Sequence, residues 1–214
     1  MILREIFIWL DAISPLLILL FALANKKVMW WKDCLFWFVV AQATLNSIAD
    51  ILDRVLNAHN LYLYHINCAI SFIILSSYFK RTLTLKKINL ITVTTLIVFF
   101  LFFIIDIIRW ESFDTFNSNS LGLASFILIA YCFLYYLEQI LHPTTISITK
   151  SKDFWYVTGI FTYYASNFFI FISYNWLTQK GTKLTLIWET HNVILLIMCI
   201  YILIGFLCKP TQKI

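Results

Sequence analysis

Apolar residues in this chain come in runs of about twenty, parted by short polar clusters. Seven runs stand out, at about 5–24, 34–54, 61–79, 88–108, 119–141, 154–177 and 187–208. A bilayer core is crossed by about 20 apolar residues of helix. Phe, Ile and Val are abundant enough to hint at strands. The runs are nevertheless too long for barrel strands of roughly 9–11 residues, and they lack the required alternation. The pattern predicts an all-α integral membrane bundle of seven transmembrane helices, forming a single domain over 1–214.

Composition agrees. The chain is 61% hydrophobic and 13% charged, with a mean hydropathy of +0.84, where a soluble domain is about 25% charged. A soluble fold of this size could not hide so much apolar surface, so lipid is the expected solvent. Only four glycines and three prolines interrupt the chain, and no linker or appended soluble domain is expected. The net charge of +5 does not point to nucleic acid, because the basic residues flank apolar runs instead of gathering on one face. The five cysteines lie within or beside apolar runs without zinc-site spacing, and read as small buried hydrophobes.

Lysine and arginine set the orientation. Eleven fall in the connections after segments 1, 3 and 5 and in the tail, among them Lys26, Lys27, Lys80, Arg81, Lys150 and Lys209. The opposite side holds five: Arg4, Arg54, Arg109, Lys180 and Lys183. The N-terminus is therefore expected outside and the C-terminus in the cytoplasm. A cleaved signal peptide is not expected. Trp30, Trp31, Trp110, Trp155, Trp176 and Trp188 sit where interfacial anchors belong.

Polar residues gather toward the outer side. Gln42, Asn46, Asp50 and Asp53 are spaced 4, 4 and 3, which places them on one face of the second helix. Such a face avoids lipid and turns to the bundle or to a water-filled cavity. Arg54 is placed to pair with Asp50, and Asp53, Arg54 and His59 read as a wet turn. The third helix adds Tyr64, His65, Asn67, Ser71 and Tyr78. The seventh opens with Trp188, Glu189, His191 and Asn192. Asp11 and Ser14 precede Pro15, whose ring is expected to kink the first helix. Asp11, Asn46, Asp50, His65, Glu189, His191 and Asn192 are thus the candidate lining of one outward-opening polar pocket.

Elsewhere, Glu138 near the cytoplasmic end is expected to snorkel or pair. Gly159, Thr162, Ser166 and Ser173 form a small-residue face in the sixth helix, which reads as a packing surface. The fourth helix, apolar from Leu96 to Ile105, is expected to face lipid.

Several chemistries lack their residues. The seventh helix has no mid-span lysine for retinal, no glycine-rich loop cradles a nucleotide, and no internal repeat suggests a transporter. A facing histidine pair for a haem or quinone subunit has only His65 and His191 to offer. Those two, with Asp50 (or Asp11 or Glu189) as third ligand, are also the only set for zinc. Seven-helix amidases of the alkaline ceramidase type use three histidines, one more than this bundle contains.

Three stretches carry a wider likeness: NLYLYHINCAISFIILSSYFKRTL (60–83), DFWYVTGIFTYYASNFFIFISYNWL (153–177) and WETHNVILLIMCIYILIGFLCKP (188–210). In these the chain resembles a group of small, uncharacterised seven-helix integral membrane proteins of Bacteroidota, often associated with sensor histidine kinases. The resemblance implies a multi-pass protein of the bacterial inner (cytoplasmic) membrane and carries over no catalytic residues. The expected function is a sensory or receptor-like module, with the lipid bilayer as its medium and a signalling kinase or another membrane subunit as partner. No cofactor is expected, and the reading leans away from an enzyme. The alternatives are a membrane-embedded metal-dependent hydrolase, with zinc in the outer half, and a structural subunit of a membrane complex.

Overall fold

The computed structural model describes residues 7, 9–24, 30–143, 147–181 and 184–208. Arg4, Lys26, Lys27, Lys183, Lys209 and Lys213, which helped to set the expected orientation, lie outside them, as does most of the predicted start of the first helix. Among the described residues there are seven long helices and no strand. They are α1 (Leu10–Ala24), α2 (Cys34–Asp50), α3 (Leu61–Thr82), α4 (Ile88–Arg109), α5 (Ser118–Leu141), α6 (Lys152–Gln179) and α7 (Thr185–Leu207). Five are long and apolar enough to cross a membrane: α2 with its extension to Val55, α3, α4, α5 and α7. This fits a multi-pass membrane protein. The described part of α1 is shorter, and α6 is long but dotted with tyrosines, asparagines and hydroxyl residues.

Neighbour contacts close a cycle α1–α2–α3–α5–α6–α7 and back to α1, with α4 outside it against α3 and α5. Phe72, Leu75, Leu128, Ile160, Leu195 and Met198 fill the centre and are fully buried. α4 instead turns Leu90, Val93, Ile97, Leu101, Ile104 and Ile108 outward, the disposition expected of a helix facing hydrocarbon.

At the end of the bundle near the α1–α2 and α5–α6 connections, a few acidic groups bolt the helices together. Asp33 caps α2 by accepting from Leu35 N (3.0 Å). Its other oxygen accepts from Lys152 Nζ and Tyr156 Oη of α6, each at 3.0 Å. Glu138 neither snorkels nor meets a cation among its described bonds. It accepts from the backbone N (2.9 Å) and the hydroxyl of Thr84, pinning the α3–α4 connection to α5.

The close approach of α6 and α7 rests on two glycines. A Cβ at Gly159 would stand 3.0 Å from Tyr201 Cβ and 3.2 Å from the Met198 carbonyl oxygen, and one at Gly205 would run into the Tyr156 ring. The predicted small-residue face is only partly a packing surface, because Ser166 is exposed and the contact is carried by Gly159 with its buried neighbours Tyr163 and Asn167. Gly205→Ala should therefore cost about 1–3 kcal/mol by overpacking. Gly122→Ala, whose Cβ would meet Ile172 at an ordinary 3.7 Å, should be neutral or better, since alanine favours helix. Denaturant unfolding in detergent micelles measures both, and equal tolerance would show that the two helices can separate freely at Gly205.

Candidate functional site

The site is built from side-chain amides. Gln42 of α2 donates to Asn67 Oδ1 (2.7 Å) and Ser71 Oγ (2.8 Å) of α3. Asn67 returns bonds to Gln42 Oε1 (3.3 Å) and Asn46 Oδ1 (3.1 Å). Asn46 then donates to the Asp11 carbonyl oxygen of α1 at 3.0 Å. That last bond has a cause in the sequence. Pro15 has no N–H, so the carbonyl four residues before it, that of Asp11, loses its helical donor. In an apolar medium it must find another, and Asn46 supplies it.

This network walls a narrow cavity with space for water of about 40 Å³. A single water needs roughly 10–15 Å³, so the space suits a few waters and no larger guest in this conformation. Asp11, Gln42, Asn46, Asn67 and Ser71 form its polar side. Tyr163 and Tyr164 of α6 and His191 of α7 close the far side. His191 is fixed by Asn167 Oδ1, 3.1 Å from its Nδ1, and by stacking on Trp188 at 4.7 Å.

Beyond the cavity lies a more open vestibule of about 250 Å³, bordered by Asp50, Asp53, Arg54 and Asn60. Tyr64, Phe116 and Trp188 line both spaces and stand between them. Their ring centroids are 5.5–5.7 Å apart in tilted and edge-on arrangements, and Tyr174 packs on Phe116 at 4.2 Å. The result is an aromatic partition with a charged space on one side and an amide-lined one on the other.

Phe116 reaches the partition on the α4–α5 connection, which is tied down at several points. Thr115 O bonds His65 Nε2 (3.0 Å), Asn117 Nδ2 donates to Tyr64 O (3.2 Å), and Asn175 Nδ2 donates to Phe116 O (2.6 Å). Glu111, buried in the same connection, accepts from Asn119 N (2.9 Å) and Asn175 Nδ2 (2.8 Å). Burial and the neighbouring Asp106 charge raise its pKa from the ordinary 4.5 to about 7, against the two donors that favour the carboxylate. Asp106 itself is fully buried and accepts from Asn119 Nδ2 (3.1 Å) and Ser120 Oγ (2.6 Å).

The predicted seven-residue pocket is divided by this geometry. Asp11, Asn46 and His191 line the inner cavity, whereas Asp50 lines the vestibule, with Asp11 near enough for their charges to interact. His65 is elsewhere. It lies one residue, a 100° step, from the Tyr64/Asn67/Ser71 face, and packs its ring against Phe113 (5.2 Å) under the α4–α5 connection. Glu189 is half-buried and lines neither space, being one step from Trp188. Asn192 is buried and donates to Phe7 O (3.1 Å), joining α7 to the chain ahead of α1. His65 and His191 thus share no cavity, and neither forms an ion pair with a carboxylate among the described residues. The zinc set His65, His191 and Asp50 is not brought together, and no group of three His, Cys, Asp or Glu side chains is gathered to hold a metal among the described residues.

The predicted polar stripe breaks at Asp53 for a local reason. After Asp50 the helix widens into a π turn, Ile51–Val55. The wider turn shifts the phase of the residues within it, leaving Asp53 exposed while Asp50 is buried. Arg54 does pair with Asp50, Nε to Oδ1 at 2.9 Å, and lies over the Trp9 ring at 5.2 Å. Trp188 is part of the partition and not a simple interfacial anchor, unlike Trp31, Trp110 and Trp176, which are exposed. Phe116, Tyr174 and Glu111 carry no mark in the sequence that sets them apart from their many like neighbours.

In comparisons with known proteins, no family model, curated protein or solved structure matches the chain.

Two outcomes are expected. Asp50→Leu removes the buried partner of Arg54. A fully buried pair loses roughly 3–5 kcal/mol when broken, and here the arginine side chain is 26% exposed, so the loss should fall at or below that range. Asp53→Leu at an exposed position should cost about 0–1 kcal/mol; equal effects in unfolding titrations would mean that Asp50 is as wet as Asp53. Glu111 sets a pH dependence. Its folded pKa lies above the unfolded value, so protonation favours the folded connection, fully so below about 4.5, and that stability is lost as pH rises toward and through about 7. Protection of the amides of residues 110–117, taken relative to their intrinsic exchange rate at each pH, should fall over that window, and Glu111→Gln should flatten the profile. A profile unchanged by Glu111→Gln would assign the pH dependence to another group.

Proposed function

We propose that this chain is a sensory or receptor-like module of the bacterial inner membrane. All seven helices span, with the N-terminus outside and the C-terminus in the cytoplasm. The orientation rests on the lysine and arginine bias, eleven against five. It puts the vestibule, partition and cavity on the outer side, away from the basic connections. The observation that carries the reading is the pairing of a charged vestibule with a narrower amide-lined cavity across three aromatic rings. A solute entering the vestibule presses on residues of α3, the α4–α5 connection and α7 at once, and differential affinity for two arrangements of these elements is what shifts a bundle between states. In this reading the response passes through the short cytoplasmic connections to a histidine kinase or another membrane subunit. The hydrolase alternative loses support because its two histidines are apart. The exposed apolar face of α4 suits lipid or a neighbouring subunit.

A reporter active only in the cytoplasm should work when fused after Ile214 and be silent when inserted beside Ser118. The reverse pattern would move the site to the cytoplasmic side. For the sensory role, the chain should copurify with a kinase in mild detergent, and Trp188→Ala should change that kinase's autophosphorylation in reconstituted membranes. A kinase indifferent to the presence of this chain would sink the reading.

A further inference from the structure

The vestibule combines features that select a particular ligand chemistry. Its charged residues are Asp50, Asp53 and Arg54, a formal balance of one excess negative charge. Arg54 is committed to Asp50 Oδ1 and to the Trp9 ring. Asp50 is 5% exposed, and its second oxygen, Oδ2, has no hydrogen-bond partner among the described residues. A buried carboxylate oxygen without a donor is costly, and Asp11 lies close enough behind it for the two carboxyls to interact. The same space is lined by Tyr64, Phe116, Tyr174 and Trp188. Electron-rich ring faces beside carboxylates are the arrangement that holds ammonium groups. The space of about 250 Å³ lies below the roughly 300–1,000 Å³ of sites for drug-sized ligands, which limits the guest to a small head.

We propose that the vestibule is a binding site for a small organic ammonium group, seated between the Tyr64/Tyr174/Trp188 rings and the Asp50/Asp53 carboxylates. The assignment rests on the receptor reading above and names its ligand class. Asp53, exposed at the rim, draws the cation in, the carboxylates repel an anion, and the rings supply no oxygen ligands to replace the waters a strongly hydrated metal ion would shed. The ammonium can belong to a free amine or to the headgroup of an aminolipid in the surrounding leaflet.

The test uses the full chain in nanodiscs of phosphatidylglycerol alone, titrated at constant ionic strength. The probes are choline, ethanolamine, the neutral choline isostere 3,3-dimethylbutan-1-ol, and glutamate. Choline or ethanolamine should raise the thermal midpoint saturably, and the neutral isostere should not. Asp53→Asn, at an exposed position that folding does not depend on, should weaken the cation roughly tenfold, and Trp188→Leu by a similar factor. Nanodiscs containing phosphatidylethanolamine separate the sources. A raised midpoint there, with no further gain from free ethanolamine, identifies the lipid headgroup; an undiminished response to the free amine identifies a soluble ligand. Equal binding of the neutral isostere, or an affinity untouched by Asp53→Asn, overturns the ammonium assignment. Binding of glutamate alone overturns it while leaving the receptor reading in place. No response to any probe or lipid, with Trp188→Ala also silent toward the kinase, removes both.

Discussion

The carbonyl that Pro15 strips of its donor is the constraint around which this bundle is arranged. In water such a group would be solvated at little cost. Inside an apolar layer it is worth several kcal/mol if left alone, so Asn46 is held against it, Asn67 against Asn46, and Gln42 against Asn67. Each amide is oriented by the next, and three helices are locked in rotation as well as in distance. The cavity lies beside this network, with Gln42, Asn46 and Asn67 in its wall.

The same economy explains the other polar clusters. Asp106 is surrounded by donors from α5, and Glu111 by donors from α5 and α6. At the opposite end Asp33 and Glu138 each collect several donors from a different element. Polar groups in this chain are therefore structural rivets first. The vestibule stands apart because its acids border an open space that is also lined by aromatic rings.

How far the sequence could be read depends on the quantity each signal measures. Run length found the helices, because bilayer thickness and helix rise leave little freedom. The Gln42, Asn46 and Asp50 spacing found the face that carries the amide network. It failed at Asp53 because a π turn cannot be seen in a spacing that assumes a constant pitch. His65 and Glu189 were placed in the pocket by depth alone, and depth does not fix the angle around a helix; a step of one residue sends each of them to another neighbour. Phe116 and Tyr174 were invisible among 20 phenylalanines and 11 tyrosines, since only the tertiary fold brings these two rings to one place.

The π turn at Ile51–Val55 has a wider meaning for how this surface can change. One π turn is geometrically the insertion of a single residue into an α-helix. It acts as a seam at the end of α2: upstream residues are keyed to α1 and α3, while Asp53 and Arg54 within it reach the vestibule rim. Substitutions within the seam, at Asp53, or in the turn after it can accumulate without turning Gln42 or Asn46 out of the network. The rim is in this sense a separately editable part of the molecule, and selection for a different visitor could act on it while the interior stays as it is.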